Sequence, residues 1–155
     1  MRYKITIEYD GTSLLGWQEQ LDGPSVQDYL QRALSCFTPL EETNDAPLSD
    51  EEYEDASTGR RLQKTDKIIV SGAGRTDAGV HATAQVAHFD LKEDLVDWKL
   101  REAINARLRE MEAPVSVIAV EKVGNDFHAR FSARGRGYLY RILNRRAPAV
   151  LEKNR

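Results

Sequence analysis

The chain has 155 residues, of which 41% are hydrophobic and 30% charged, and its formal net charge is −3. This size and balance predict one soluble globular domain with a buried core. No apolar run reaches membrane-spanning length and the N-terminus lacks a secretory signal pattern, so we expect a cytoplasmic protein with no membrane partner. A lone cysteine, Cys36, excludes an internal disulfide, and with three scattered histidines it offers no metal-ligand cluster.

The net charge hides two segments of opposite sign. Eight acidic residues and no basic ones lie between Arg32 and Arg60, whereas six arginines and no acids lie between Asp126 and Glu152. A nucleic acid would contact the basic second segment, so the local positive charge there matters more for its binding than the net negative charge of the chain.

The first elements follow from hydrophobic periodicity. Residues 2–9 alternate strictly, with Tyr3, Ile5, Ile7 and Tyr9 on one face, which predicts a half-buried strand. Residues 12–23 are expected to form a loop, in which Trp17 is a core plug, a loop anchor or an RNA-stacking platform; the two structural roles are preferred.

A helix is predicted to open at Pro24-Ser25, with Asp28 as the partner of a capping box, and to stop at Pro39. Its apolar stripe is explained by core packing. Residues 40–66 are acidic and polar, so they are interpreted as a flexible insertion with at most one helical turn near 49–53.

The most informative stretch is 67–91. A β-branched run at 67–71 predicts a buried strand, and residues 80–91 predict a second one. Between them, Arg75 and Asp77 lie in a bend flanked by Gly72, Gly74 and Gly79. An ordinary turn explains this pattern, because Asp beside Gly commonly bonds the local backbone.

Two nucleotide-binding motifs fail at this bend. A dinucleotide-binding motif needs a third glycine at 77, where Asp77 stands, and a P-loop needs Gly-Lys-[Ser/Thr]. The sequence therefore predicts no bound nucleotide cofactor.

The second half of the chain completes the predicted fold. A helix is expected from about Glu93 to Arg109, a doubly covered central strand from Val115, a turn at 124–126, a loop at 127–132 and a last strand at 137–143. The order β-α-β-β-α-β predicts an α+β, ferredoxin-like antiparallel sheet with both helices on one face, plus an extra C-terminal strand.

Three motifs carry a resemblance to a known family. Gly-Arg-Thr-Asp-Ala-Gly-Val-His-Ala at 74–82 resembles the catalytic loop of the tRNA pseudouridine synthase A (TruA) family. Residues 9–18, with Tyr-Asp-Gly-Thr and Gly-Trp-Gln, are similar to that family's opening. Residues 127–133 and Tyr138-Leu139-Tyr140 are similar to its third motif. The resemblance spans nearly the whole chain but only the family's first half.

The resemblance implies a reaction and its residues. Asp77 would be the catalytic nucleophile, Arg75 would pair with it or support the flipped-out nucleotide, and the Tyr138 ring would stack on the flipped uracil. His81 is expected to support the loop rather than act as a base. No cofactor or metal is implied. The family modifies uridines at tRNA positions 38 to 40 in the anticodon arm and usually acts as a homodimer.

The basic segment supplies the predicted RNA-binding residues. Arginines interleaved with aromatic rings offer phosphate contacts and stacking surfaces together. The predicted set is His128, Arg130, Arg134, Arg136, Arg141, Arg145 and Arg146.

Three interpretations remain open for the chain as a whole. It is a tRNA pseudouridine synthase, a non-catalytic RNA-binding module resembling an RNA-recognition motif, or an inactive truncated fragment. The family's second domain is expected to be absent, so residues 1–155 would form the catalytic-loop domain alone, with weak or no turnover and an exposed apolar patch. The sequence leaves open which uridines are modified and which atom Asp77 attacks.

Overall fold

A four-stranded antiparallel sheet forms the centre of the fold. The computed structural model of the protein describes residues 1–37, 52–55, 60–63 and 67–150. The elements are β1 (Arg2–Tyr9), α1 (Val26–Leu34), β2 (Glu52–Asp55), β3 (Arg60–Gln63), β4 (Ser71–Gly72), β5 (Ala82–Asp90), α2 (Asp97–Glu110) and β6 (Val115–Val123). The sheet order is β4-β5-β1-β6, and β2 pairs with β3 in a separate two-stranded sheet.

Strand β1 lies between β5 and β6 and anchors the core. Tyr3, Ile5 and Ile7 have no solvent exposure, while the residues between them are partly exposed. The predicted alternation is therefore confirmed, because inward apolar side chains recur at every second position.

Both helices cover the same side of the sheet. Leu30 and Leu34 of α1 join the buried cluster formed by β1, as do Leu100, Ile104 and Leu108 of α2. The predicted α+β, split β-α-β-β-α-β fold is confirmed. The N-terminal cap of α1 is also as predicted, since the hydroxyl of Ser25 accepts a hydrogen bond from the backbone N–H of Asp28 at 3.1 Å.

The ends of both helices differ from the prediction. Helix α1 ends at Leu34 and continues as a short 3₁₀ turn at Ser35–Phe37, while Pro39 lies outside the described residues. Helix α2 begins at Asp97 rather than near Glu93, and Val96 at its N-cap is 54% exposed. The hydroxyl of Tyr3 accepts a hydrogen bond from the backbone N–H of Leu95 at 2.7 Å, which fixes the chain before the helix starts.

The prediction that the strand from Val115 is central is wrong. Among the described strands, β6 pairs with β1 alone and forms an edge of the sheet. The register shifts opposite Ile7, so Val117 and Val120 both point inward and Ile118 is 42% exposed. The apolar run therefore reflects a bulge rather than two covered faces.

The predicted strand at 67–71 is reduced to the two residues of β4. Residue Val70 is buried, but its hydrogen bonds go to the helix instead of a strand. Its backbone N–H donates to the side chain of Gln31 at 3.3 Å, and its carbonyl accepts from Gln27 at 2.9 Å. These two glutamines lie one helical turn apart on α1, and they bind the backbone groups of Val70 that a neighbouring strand would otherwise bind. The strand predicted at 80–91 is β5, which is shorter at both ends.

Two further predictions need correction. The insertion contains the antiparallel strands β2 and β3, so Glu52 and Tyr53 are extended rather than helical; the rest of 40–66 lies outside the described residues. The predicted strand at 137–143 does not form, and its residues are exposed because none of the described strands pairs with them.

Candidate active site and nucleic-acid interface

The Asp77 loop (residues 73–81) connects β4 to β5 and presents its two charged side chains to solvent. Both Arg75 and Asp77 are exposed, whereas Ala73 is buried and Thr76 is half-buried. Three parts of the chain form hydrogen bonds with this loop: residues 9–17, strand β5 and the C-terminal segment.

The segment 10–17 supports the loop from one side. The backbone N–H of Trp17 donates to the carbonyl of Thr76 at 3.0 Å, and that of Gly79 donates to Leu14 at 3.3 Å. Residue Gly16 has φ +103°, and a Cβ there would lie 2.4 Å from the Thr76 carbonyl oxygen. The backbones therefore approach each other at a distance that only glycine allows.

A partly buried polar network supports the loop from below. The Tyr9 hydroxyl lies 2.9 Å from the hydroxyl of Thr76, and Gln85 on β5 donates to the Gly74 carbonyl at 2.8 Å. Burial raises the pKa of the Tyr9 phenol, which therefore stays protonated as a hydrogen-bonding group. These contacts fix the residues on both sides of Arg75.

The end of the loop rests on His81. Its Nδ1 lies 3.2 Å from the backbone nitrogen of Gly11 and 3.1 Å from a carboxylate oxygen of Asp10. A Cβ at Gly11 would lie 2.1 Å from the Val80 carbonyl oxygen. The expectation that His81 supports the loop agrees with these contacts.

The backbone around Asp77 is fixed by hydrogen bonds, but the Asp77 carboxylate has no ion-pair partner among the described residues. Among the described residues no ion pair joins Asp77 to Arg75 or to any other cation, so the predicted Arg75–Asp77 pairing is not formed in this state. The result is an exposed carboxylate on a rigid backbone, with both oxygens available to an incoming molecule. Such a group can act as a nucleophile or as a base.

Tyr138 and Tyr140 lie in the exposed C-terminal segment. Their exposures are 68% and 85%. Burial is the main cause of the raised pKa of Tyr9, and the Tyr138 phenol makes the smallest contribution to that rise. Its ring is free to stack on a ligand, while its predicted role remains a prediction.

Sequence reasoning missed His88, which joins β5 to the third motif. This side chain is only 5% exposed, and its Nδ1 accepts a hydrogen bond from the backbone N–H of Ala129 at 3.2 Å. The ring lies 4.6 Å from that of His128, which in turn lies 4.4 Å from Phe131. Burial lowers the pKa of His88, so the neutral ring is favoured. In the sequence, the only indication of this role was the position of His88 on one face of the strand predicted at 80–91.

Arg2 was also missed, and it fixes the turn that precedes His128. Its guanidinium donates to both carboxylate oxygens of Asp90 at 2.7 and 2.8 Å and to the carbonyls of Asn125 and Phe127 at 2.7 and 2.8 Å. This geometry lowers the pKa of Asp90, chiefly through the hydrogen bond from Arg2. The contacts join residues far apart in sequence, so no local pattern reveals them.

A basic cleft of about 450 Å³ lies beside the Asp77 loop. It brings together part of the predicted RNA-binding set, namely His128, Arg130 and Arg136, with Arg75. The guanidinium of Arg136 crosses from the C-terminal segment and donates to the Ala73 carbonyl at 2.8 Å. The remaining predicted members, which do not line the cleft, are exposed: Arg134, Arg141, Arg145 and Arg146.

The described residues provide no group of three or more His, Cys, Asp or Glu side chains arranged to hold a metal ion. Within the same part of the chain, no helix is both long and apolar enough to cross a membrane.

Comparison with known proteins places this geometry in context. A family model described as tRNA pseudouridine synthase matches residues 5–132. The chain is 47% identical to "tRNA pseudouridine synthase A" of Maricaulis maris (strain MCS10) over 152 residues, which cover 98% of this chain and 50% of that protein. It is 44% identical to the protein of the same name from Brucella ovis over 154 residues, 99% of this chain and 51% of that protein. The chain therefore spans about half the length of these curated relatives.

Proposed function

Because the chain belongs to the tRNA pseudouridine synthase family, we propose that it carries the catalytic carboxylate of a uridine-to-pseudouridine isomerase acting on tRNA, with Asp77 as that carboxylate. The observation that carries the proposal is the exposed Asp77 side chain on a loop whose backbone is fixed from several sides. Fixed geometry at a reacting group lowers the entropic part of a reaction barrier.

The proposed chemistry needs one carboxylate and no redox partner. The N1–C1′ bond of the uridine breaks, the base turns, and a C5–C1′ bond forms while the C5 proton is lost and N1 gains one. Asp77 either attacks C1′, attacks C6, or assists departure of the base by removing a sugar proton. The target must first leave the base stack, because a stacked uridine exposes neither reacting bond.

The neighbouring side chains fit supporting roles in this reaction. Arg75, two residues before Asp77, would fill the space left by the flipped base or bind its phosphate. Tyr138 would stack on the uracil, and its hydroxyl could receive the C5 proton. The exposure of both side chains supports these roles, since each must meet the RNA rather than the protein core.

The basic segment and the family name support a tRNA partner. We place the modified uridines at positions 38 to 40 of the anticodon arm, with the RNA bound across a cytoplasmic homodimer. The predicted set of basic residues would contact the phosphates. The experiment is to incubate the chain with tRNA, label pseudouridine with a carbodiimide and map the labelled positions by primer extension. Labels at 38 to 40 are expected, and labels only elsewhere would contradict the proposed specificity.

This chain has an exposed apolar surface near its C-terminal end, and it is suited to contact the part of the relatives that the chain does not span. Leu139, Tyr140 and Ile142 are 80–88% exposed in a segment without regular structure. Surfaces of this kind usually mark a contact. We infer that the portion of the relatives not spanned by this chain covers them and completes the cleft. Turnover should therefore be weak for the chain alone and should rise when the missing portion of a relative is added.

A non-catalytic RNA-binding module is the alternative function. The sheet order and the basic cleft favour it, because an RNA-recognition module also combines a four-stranded sheet with two helices. Asp77→Asn separates the two: it should abolish pseudouridine formation while leaving tRNA affinity within about twofold. An unchanged yield of pseudouridine would exclude Asp77 as the catalyst.

A further inference from the structure

The basic cleft lies along the free edge of β4. Among the described strands, β4 pairs with β5 alone, so none of them covers its other edge. Residues 70–75 line the cleft together with Trp17, Gln18, Gln27, His128, Arg130 and Arg136. One wall is therefore strand backbone, and the opposite wall is the third motif and the arginines that follow it.

The edge offers a backbone donor to the cleft. The backbone N–H of Ala73 donates to the carbonyl of Val86 on β5. Because hydrogen-bonded and non-bonded pairs alternate along an antiparallel ladder, the N–H and C=O of the preceding Gly72 point away from β5 and toward the free edge. An outward N–H beside several cations is suited to an anion.

The charge of the cleft has one sign. Among the described residues, those that line it include Arg75, Arg130 and Arg136 and no carboxylate. Arg136 is held in place by the carbonyls of Ala73 and Arg130, at 2.8 and 3.2 Å. The Arg130 guanidinium lies 6.0 Å from the centre of the Phe131 ring and makes no hydrogen bond within the described residues, so it can donate to a ligand.

The position of the cleft relative to Asp77 limits which nucleotide can occupy it. Asp77 does not line the cleft, whereas Arg75 does. Two residues of chain span at most about 7 Å between their Cα atoms, so a phosphate bound by the Arg75 side chain lies close along the RNA strand to a uridine that reacts at Asp77. The reacting base and the cleft-bound group are therefore neighbours but not the same group.

We propose that the cleft at the free edge of β4 binds one RNA backbone phosphate immediately flanking the target uridine, through Arg75, Arg130, Arg136 and the Gly72 N–H. This inference rests on the proposed function, since it takes the uridine at Asp77 as its reference point. Holding the flanking phosphate fixes the strand while the uridine swings out of the stack. The cleft thereby couples RNA binding to the positioning of the sugar at the carboxylate.

The test replaces single phosphates of an anticodon stem-loop RNA by neutral methylphosphonates, one at a time from nucleotide 37 to 41. Affinity for each RNA is measured by fluorescence anisotropy with the parent chain and with Arg130→Gln. The matched control is Arg109→Gln, which removes the same charge at an exposed position on α2, outside both the cleft and the predicted RNA-binding set.

One methylphosphonate position is expected to weaken binding to the parent about tenfold, as loss of a charge-assisted contact does. The same methylphosphonate should weaken the binding of Arg130→Gln less than about twofold, while Arg109→Gln keeps the tenfold sensitivity. Arg130→Gln should also lower the slope of log affinity against log salt by about 1.

Equal sensitivity of the parent and Arg130→Gln at every phosphate would overturn the inference, and so would a failure of the parent to bind the unmodified stem-loop. If Arg130→Gln loses the sensitivity to one methylphosphonate but the chain forms no pseudouridine, phosphate binding in the cleft is supported and only the proposed chemistry is contradicted. The two proposals therefore fail in different experiments.

Discussion

Gly16→Ala is predicted to destabilise the protein strongly, because the added methyl group would push the segment 10–17 away from the Asp77 loop. A residue other than glycine at φ +103° carries about 1–3 kcal/mol of backbone strain. Its Cβ would also lie 2.4 Å from the Thr76 carbonyl oxygen, a backbone atom that cannot turn aside as a flexible side chain would. Overpacking of this kind adds about 1–3 kcal/mol. The free energy of unfolding should fall by roughly 2–6 kcal/mol in total.

The matched control for this change is Gly79→Ala. Residue Gly79 also has positive φ, +79°, but a Cβ there would meet no atom within 4 Å, so only the backbone strain applies. Its expected cost is about 1–2 kcal/mol. Urea denaturation of both variants at constant m-value measures the two costs. Equal costs within about 0.5 kcal/mol would show that the approach of Gly16 to Thr76 is not the constraint inferred here.

Three further predictions concern the supporting contacts. Tyr9→Phe and Thr76→Val should each lower the free energy of unfolding, and a double-mutant cycle should give a coupling of about 1 kcal/mol; independent effects would contradict the buried hydroxyl contact. Because burial lowers the pKa of His88, the unfolded chain binds the proton more readily, so stability should be lost as pH falls below about 6.5. His88→Gln should reduce that loss in urea titrations at pH 7 and pH 5, and an unchanged pH dependence would refute it. Gln31→Leu should cost about 2 kcal/mol by leaving a buried backbone N–H without an acceptor, whereas Arg32→Leu on the exposed side should change stability by less than about 0.5 kcal/mol in the same assay.

The elements that the sequence predicts well are those set by local pattern. The alternation from Tyr3 to Tyr9 and the Ser25 cap depend on neighbours within a few residues, and both are confirmed. The order of elements then restricts the topology to a few arrangements, which is why the sheet and its helices could be predicted.

The elements that were wrong depend on distant partners. The strand predicted at 67–71 is shortened because Gln27 and Gln31 take both backbone groups of Val70. The residues at 137–143 have the composition of a strand but no adjacent strand among the described residues. A strand needs a hydrogen-bonding partner, and composition alone does not supply one.

The candidate site shows the same division. The Asp77 loop could be recognised because its motif is contiguous, and the basic segment because acids are absent from it. The supports of the loop could not be recognised, since Tyr9, Gln85 and Trp17 come from other elements and meet it only in the fold. Four basic residues converge on the cleft beside the loop, and that convergence also requires the tertiary structure.

The most direct test of the central claim is single-turnover tritium release from tRNA carrying 5-tritiated uridine. The parent chain and Asp77→Asn are compared with protein in excess, at concentrations where both bind the tRNA equally, and the missing portion of a relative is added to each. If Asp77 is the catalytic carboxylate, the parent releases tritium and Asp77→Asn releases none. Equal release by both would contradict the assignment of Asp77 as the catalytic carboxylate, and no release by either under matched binding would contradict the isomerase function itself.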